Sequence, residues 1–423
     1  MPNPNQPHAV TQYQLVWDAG GRTVTDLFDV INEETQITST INGISTSTHL
    51  FKSKSEKLAE LLKFAGNRYH TKVNFRVGIN TSNTITWDDW YRHFLEKYGI
   101  QYLSGGSNSG YQIVLSTQNA PSLFNKITKF AAHKGKISAI IKTIADNYGL
   151  DSVIEETEGD FILYQSNQTD ADFIETRLLP RAVNKKGHAG YVFFINDNIL
   201  HFHSPFYQNK ILEFDYPSAN ISDLQLVHKA ETGLLWGKTT IFSHDPYTGQ
   251  SNAISSSYDS YVRLSDYSVA RKDLNFSSSN LGYHLSTNNP EEVTALAQAD
   301  LQKRHLKLYK LIAFVDHRLK IKPGDLIKLN IQNSSGTDSG YGGLYLVSGV
   351  SLSIENTLIK SAVILNRGEY LTQTRINWAA TNPDIASVNT SDFSAYGTLP
   401  KINPQKSLRV TLGIGPEKPV LKN

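Results

Sequence analysis

Short runs in which apolar and hydroxyl side chains alternate, closed by tight-turn residues, recur at both ends of this 423-residue chain. A strand sends successive side chains to opposite faces, so a period of two commits a segment to a sheet with one buried face. The stretch TQITSTINGISTSTHLF alternates Thr and Ile, and Asn42-Gly43 inside it suits a turn that needs positive φ. Before it, YQLVWDAGGRTV sets two apolar runs around Ala19-Gly20-Gly21 and predicts a hairpin. Towards the other end, KLYKLIAFVDH, LIKLNIQ, GLYLVSGVSLSI and KSAVILNR read as four further strands.

Between these ends the period lengthens. Ser53-Lys54-Ser55-Glu56 has the form of a capping box, and Leu58, Leu61, Leu62 and Ala65 make the apolar stripe of a helix stopped by Gly66. Thr86-Trp87-Asp88-Asp89 predicts a second helix, with Trp90, Phe94 and Tyr98 on one face and Gly99 after it. Ile137, Ile140, Ile141, Ile144 and Tyr148 mark a third, closed by Gly149. Asn289-Pro290-Glu291-Glu292 starts a fourth, with Pro at the first helical position. YVFFIND and ILHFHSP form a hairpin across Asp197-Asn198, and QSNAISSS reads as a loop. The fold class is α+β.

Composition narrows the function classes. The chain is large enough for two to four domains. It has 41 basic and 39 acidic residues, which give no overall pull towards nucleic acid or anionic membrane. Without cysteine it holds neither disulfides nor thiolate zinc sites. No apolar run reaches the length of a membrane helix, and MPNPNQPHAVTQ lacks the basic and apolar regions of a secretory signal. Assembly in a cytoplasm, without membrane insertion, is therefore expected.

Several groups invite a chemical reading. His201 and His203 share a strand face at a spacing that suits a metal, but no third ligand lies near, so they read as ordinary strand histidines. Glu155, Glu156, Glu158 and Asp160 offer carboxylates for glycoside hydrolysis, but neighbouring loop acids read as a solvated turn. Asp88 and Asp89 fit the first turn of the predicted second helix. Asp170 and Asp172 read as caps of the helix carrying Phe173, with a partner contact as the alternative. Gly336–Gly343 (GTDSGYGG) lacks the Lys-Ser/Thr of a phosphate loop and reads as a hairpin loop. Lys303, Arg304, His305 and Lys307 read as cations at a helix end, or else as the lining of a channel. No catalytic fingerprint stands out, and no cofactor or metal is expected.

Two stretches resemble the baseplate hub proteins of tailed bacteriophages, a family related to the hub half of type VI secretion spike proteins. In residues 136–205 a helix, a strand, the pattern Q-x-x-x-S/T-D-x-D-F, a helix and a hairpin ending in L-x-F fall in order on Gln165, Thr169, Asp170, Asp172, Phe173, Leu200 and Phe202. In residues 291–367 a helix leads to the turn Lys322-Pro323-Gly324-Asp325, then to Tyr345 and Val347, and ends near Arg367. The resemblance implies two β-barrel-like tube domains, an intervening mixed α/β segment and an extended C-terminal tail. The expected division is a flexible arm over 1–12, a first tube-like domain with two helices over 13–120, a mixed domain over 121–209, a β-rich connector over 210–290 available to complete a barrel, a second tube-like domain over 291–370, and a tail over 371–423.

The same resemblance implies a non-catalytic homotrimer in the baseplate of a virion, adapting a six-fold tail tube to a three-fold spike and forming part of the injection channel. Its implied partners are the tube protein or a tube-terminal adaptor, the central spike, the tape-measure protein and baseplate wedge proteins, with DNA only in transit. Trp378, Phe393, Tyr396 and Leu399 in the tail would touch the spike or a neighbouring subunit. The rival readings are the hub of a bacterial contractile injection system, a tail-associated peptidoglycan-degrading enzyme using Glu155–Asp160 or Asp170 and Asp172, and a carbohydrate-binding tail protein.

Overall fold

The computed structural model describes residues 8–205 except 20–21, 54–55, 67–70, 82–83, 105–109 and 122; residues 207, 211–227, 238–244, 251–257, 262–264, 267–269 and 279–285; residues 292, 295–296, 299–300, 303 and 306; and residues 309–331, 342–355 and 358–367. Strands dominate, and helices are few. Among the described residues no helix is long and apolar enough to cross a membrane.

The chain begins with β1 (His8–Ala19), β2 (Arg22–Thr40), β3 (Gly43–Ile44), β4 (Thr46–Ser53), helix α1 (Glu56–Gly66), β5 (Lys72–Thr81), β6 (Thr84–Trp87), β7 (Tyr91–Leu103) and β8 (Gly110–Gln118). The predicted hairpin is present, with Ala19 opposite Arg22. Strand β1 pairs β5, β5 pairs β7, β7 pairs β8, β8 pairs β4 and β4 pairs β2, all antiparallel. Because β2 also pairs β1, the ladders of these six strands form a circuit. Their inward side chains, Tyr13, Leu15, Phe51, Phe75 and Ile113 among them, make one core with Leu58 and Leu62 of α1.

The helix expected from Trp87 to Tyr98 is corrected to strand. Trp90, Phe94 and Tyr98 do recur at helical spacing, but β7 is bonded to β5 on one side and β8 on the other. The same residues read at a period of two put Tyr91, His93 and Leu95 inward, and a register shift between Leu95 and Lys97 disguises that period. Ladder bonds on both sides outweigh a local helical stripe.

The middle segment contains α2 (Leu123–Lys126), β9 (Lys129–Gly135), α3 (Ile137–Asn147), β10 (Asp151–Ile154), β11 (Phe161–Gln168), α4 (Asp170–Phe173), single π and 3-10 turns over Ile174–Leu178 and Leu179–Arg181, β12 (Val192–Asn196) and β13 (Ile199–His203). Helix α3 buries its isoleucine stripe against Phe173, Phe193, Leu200 and Phe202. The β12–β13 turn holds Asp197 and Asn198 at φ 51° and 67°, the left-handed region that short polar side chains tolerate. Strand β12 also pairs in parallel with β3, fastening this segment to the first one.

The rest comprises β14 (Ile211–Tyr216), β15 (Ile221–Val227), β16 (Lys238–His244), β17 (Ser251–Ser257), β18 (Val262–Leu264), β19 (Tyr267–Val269), β20 (Ser279–Leu285), β21 (Tyr309–Val315), β22 (Leu326–Ile331), β23 (Gly343–Glu355) and β24 (Leu358–Arg367). The loop expected at QSNAISSS is instead strand β17, bonded along its length to β16, so backbone pairing there does not depend on apolar alternation. The four C-terminal strands are where the alternation places them.

The expectation of two β-barrel-like tube domains is met only in part. Strand β2 runs past the first circuit and pairs with β23 over Glu34–Thr40, so both ends of the chain share one 13-stranded sheet. In its C-terminal part, β22 carries β14 and β21 carries β15, and the described strands leave that part open. The α+β class holds only in that a few helices, α1 beside the first circuit and α2–α4 in the middle segment, accompany the sheets.

Candidate functional site

The pattern Q-x-x-x-T-D-x-D-F folds into a knot of hydrogen bonds. Thr169 is the N-cap of α4: its Oγ1 accepts from the Asp172 amide at 3.1 Å and donates to Asp172 Oδ2 at 2.8 Å. Asp170, read as a cap from the sequence, has another role. Its carboxylate is buried, with Oδ2 bonded by Lys129 Nζ at 2.5 Å and Tyr148 Oη at 2.6 Å, and Oδ1 by Gln165 Nε2 at 2.9 Å. Gln165 is also buried and meets His133 Nε2 at 3.1 Å. Burial alone would lower the Lys129 pKa, but its bonds to Asp170 and Tyr148 win and raise it. Burial and the bond to Asp170 together push Tyr148 up. Phe173, Leu200 and Phe202 lie in the core beneath, with Phe173 stacked on His133. The knot ties β9, α3, β11 and α4 together.

The second pattern forms the junction between the middle segment and the sheet. Gly324 has φ 85°, its N–H donates to Val347 O at 2.8 Å, and a Cβ there would lie 2.6 Å from Phe194 Cζ. Only glycine satisfies both the backbone conformation and the close approach. Asp325 Oδ2 accepts from the Lys322 amide at 2.8 Å, and the Val347 amide donates to Asp325 O at 2.9 Å. Pro323 precedes this crossing, and Tyr345 and Val347 are buried in the sheet's C-terminal core. Outside it, Lys322 pairs with Asp197 at 2.7 Å and Lys320 with Asp89 at 2.6 Å. The Lys320 hydrogen bond, with its charge, lowers the Asp89 pKa. The two stretches therefore meet through Phe194 and Asp197, and Asn196, Asp197, Lys322 and Pro323 share the lining of one cavity of about 130 Å³.

The remaining described candidates are held by neighbouring groups or lie at the surface. Glu155 accepts from Asn184 Nδ2 and the Ser204 amide, both at 2.7 Å, and Glu156 pairs with Lys136 and Lys185. His203 is buried, with Nδ1 2.8 Å from Ser204 O, and His201 stacks on Phe194. Among the described residues no three His, Cys, Asp or Glu side chains converge on a metal position. Asp88 and Asp89 sit before β7, not in a helix. Lys303 is exposed. Arg304, His305, Lys307, the helix start at 289–291, residues 336–341, and the tail residues Trp378, Phe393, Tyr396 and Leu399 lie outside the described residues.

Sequence reading missed a polar chain inside the six-strand circuit. Tyr13 Oη is 3.0 Å from His49 Nδ1 and 3.3 Å from Thr35 Oγ1. Ser47 Oγ is 2.7 Å from His49 Nε2, 2.5 Å from Thr117 Oγ1 and 3.2 Å from His93 Nδ1. All six are buried. Burial, and for His49 the nearby His93, pulls both imidazoles down to about 3. Burial pushes Tyr13 up to about 12. A serine within reach of two histidines is a nucleophile's geometry, and each of the three side chains is at most 3% exposed. The signal was available: Ser47 and His49 share the inward phase with Phe51.

No family model matches the chain, and no curated protein matches it. Solved structures do match. The tail protein of Neisseria meningitidis MC58 is similar over 85% of this chain and 96% of its own, with a TM-score of 0.51 at 10% identity. The 43 kDa tail protein of prophage MuSo2 from Shewanella oneidensis is similar over 85% of this chain and 98% of its own, with a TM-score of 0.52 at 11% identity. A chain of the lidded Francisella PdpA–VgrG complex is similar over 88% of this chain and 55% of its own, with a TM-score of 0.50 at 10% identity. The chain therefore has the fold of phage tail proteins, shared with a VgrG complex.

Proposed function

We propose that this chain is a structural, non-catalytic hub of a phage tail baseplate. It assembles as a homotrimer, adapts the six-fold tail tube to a three-fold spike, and lines part of the injection channel of the virion. The observation that carries this reading is the extent of the likeness, which spans 96% and 98% of the two tail proteins and so involves their whole fold. The partners are further copies of itself, the tube protein or a tube-terminal adaptor, and the spike, with tape-measure and wedge proteins around them. A ring closed by symmetry uses the same surfaces in every subunit, which limits uncontrolled association. Residues 371–423, with Trp378, Phe393, Tyr396 and Leu399, strap onto the spike or a neighbour. Deleting them weakens co-purification with the spike, and undiminished recovery of spike would count against the strap.

Light scattering on the purified chain tests the assembly. A mass near three chains of 47.2 kDa is expected, alone or with the spike co-expressed. A stable monomer in both conditions would overturn the reading. The likeness to the PdpA–VgrG complex favours a second setting, a bacterial contractile injection device. Particles purified through a tagged chain separate the two, because a packaged genome accompanies only a virion.

A further inference from the structure

The outer face of β1, β5 and β7 carries a run of cations with no acid among its paired positions. The ladder register sets Val16, Lys72 and Phe94 in one row, and Gln14, Asn74 and Arg92 in the next. A third row pairs Gln12 with Arg76. Arg76 is already engaged: its Nε donates to Gln12 Oε1 at 2.8 Å, and its guanidinium lies 4.5 Å and 4.6 Å from the ring centres of Trp87 and Trp90. In the first of the other two rows Lys72 Nζ lies 5.7 Å from the centre of the Phe94 ring. Val16, Lys72, Asn74, Arg92 and Phe94 of these rows line an open cavity of about 310 Å³ together with His93 and with Asn198 from the β12–β13 turn. Lys72 and Arg92 are exposed at it, and among the described residues neither pairs with a carboxylate.

We infer that this cavity binds acidic side chains presented by a segment of a partner protein. Two unpaired cations at a cleft between two packed units concentrate anions, and a guanidinium fork beside an ammonium forms short, charge-assisted bonds to carboxylates. Val16 and Phe94 supply apolar walls for the methylene stem of a glutamate, while the Asn74 and Asn198 amides are engaged with Gln14 Oε1 at 2.9 Å and Gly149 O at 3.3 Å. A nucleic acid fits the site less well. Its affinity comes from many phosphates neutralised along a track, whereas here two cations sit in one hollow and the third is locked between indoles. The inference goes beyond the hub reading and holds whether or not the chain trimerises.

The test uses the full chain and fluorescence anisotropy with a labelled polyglutamate peptide of about eight residues, at about 20 mM salt, where screening is weak. The double variant Lys72→Gln, Arg92→Gln removes both charges at exposed positions, and an unchanged melting temperature checks its fold. Saturable binding is expected, with affinity about tenfold or more lower in the double variant and unaltered in Lys142→Gln on α3. An oligothymidylate of equal length should bind at least about tenfold more weakly than the peptide. The proposal is overturned by no saturable peptide binding, by equal binding to the double variant, or by an oligothymidylate that binds as well as the peptide. The last outcome would assign the cavity to nucleic-acid phosphate instead.

Discussion

Asp170 shows how a residue can be found by pattern and still be misread. Position and flanking residues suggest a helix cap, but the cap is Thr169 with Asp172, and Asp170 turns inward to three donors on other elements. Nothing local in the sequence announces Lys129 and Tyr148, which come from β9 and from the end of α3. Asp170→Asn leaves Lys129 and Tyr148 without their anion, but Lys129 keeps 37% of its side chain exposed and can turn to water. The expected loss is about 2 kcal/mol in denaturant unfolding; an unchanged midpoint would mean the knot adds nothing to stability. Gly324 was legible for the right reason, since a Pro-Gly-Asp turn needs positive φ. Its contact with Phe194, over a hundred residues away in sequence, was not legible. Gly324→Ala should cost about 2 kcal/mol through backbone strain and overpacking, and it should cost less when introduced into a Phe194→Ala chain if the collision is real.

At the scale of elements, amphipathic α3 and the four C-terminal strands could be read directly, because each is an apolar run bounded by turn residues, and β23 stays legible even with its register shift between Val347 and Gly349. Strand β7 could not, because two periods overlap in it and a register shift conceals the true one. Strand β17 was missed for the opposite reason: serine and asparagine give no period at all. The six-strand circuit makes a prediction through its two buried histidines. Their folded pKa values lie near 3, below the ordinary 6.5, so the fold holds them neutral while the unfolded chain takes up protons. Their contribution is complete above about pH 6.5. It is lost as pH falls towards 3, at about 1.4 kcal/mol per pH unit for each imidazole. Urea midpoints measured from pH 7 to pH 4 should fall steeply. In a His49→Gln, His93→Gln chain the slope should flatten, whatever the absolute stability of that variant. A parallel decline in both proteins would place the acid sensitivity elsewhere.

For the whole molecule, the resemblance pointed to the right fold, but not to how its two ends join. That depends on β2 having a free edge beyond the first circuit, and edges are invisible to a pattern read one segment at a time. The first 205 residues produced alone should therefore aggregate or associate, because Glu34–Thr40 loses its partner on β23. A well-behaved monomer of that fragment would show that the first circuit is self-sufficient. The shared sheet also sets an order of events during synthesis. Gly343–Glu355 is translated roughly 300 residues after β2, and elongation at about 5–20 residues per second leaves that edge waiting for tens of seconds. During that interval neighbouring nascent chains on a polysome would present the same unpaired strand to one another, so a competitor for that edge should lower the yield of folded protein.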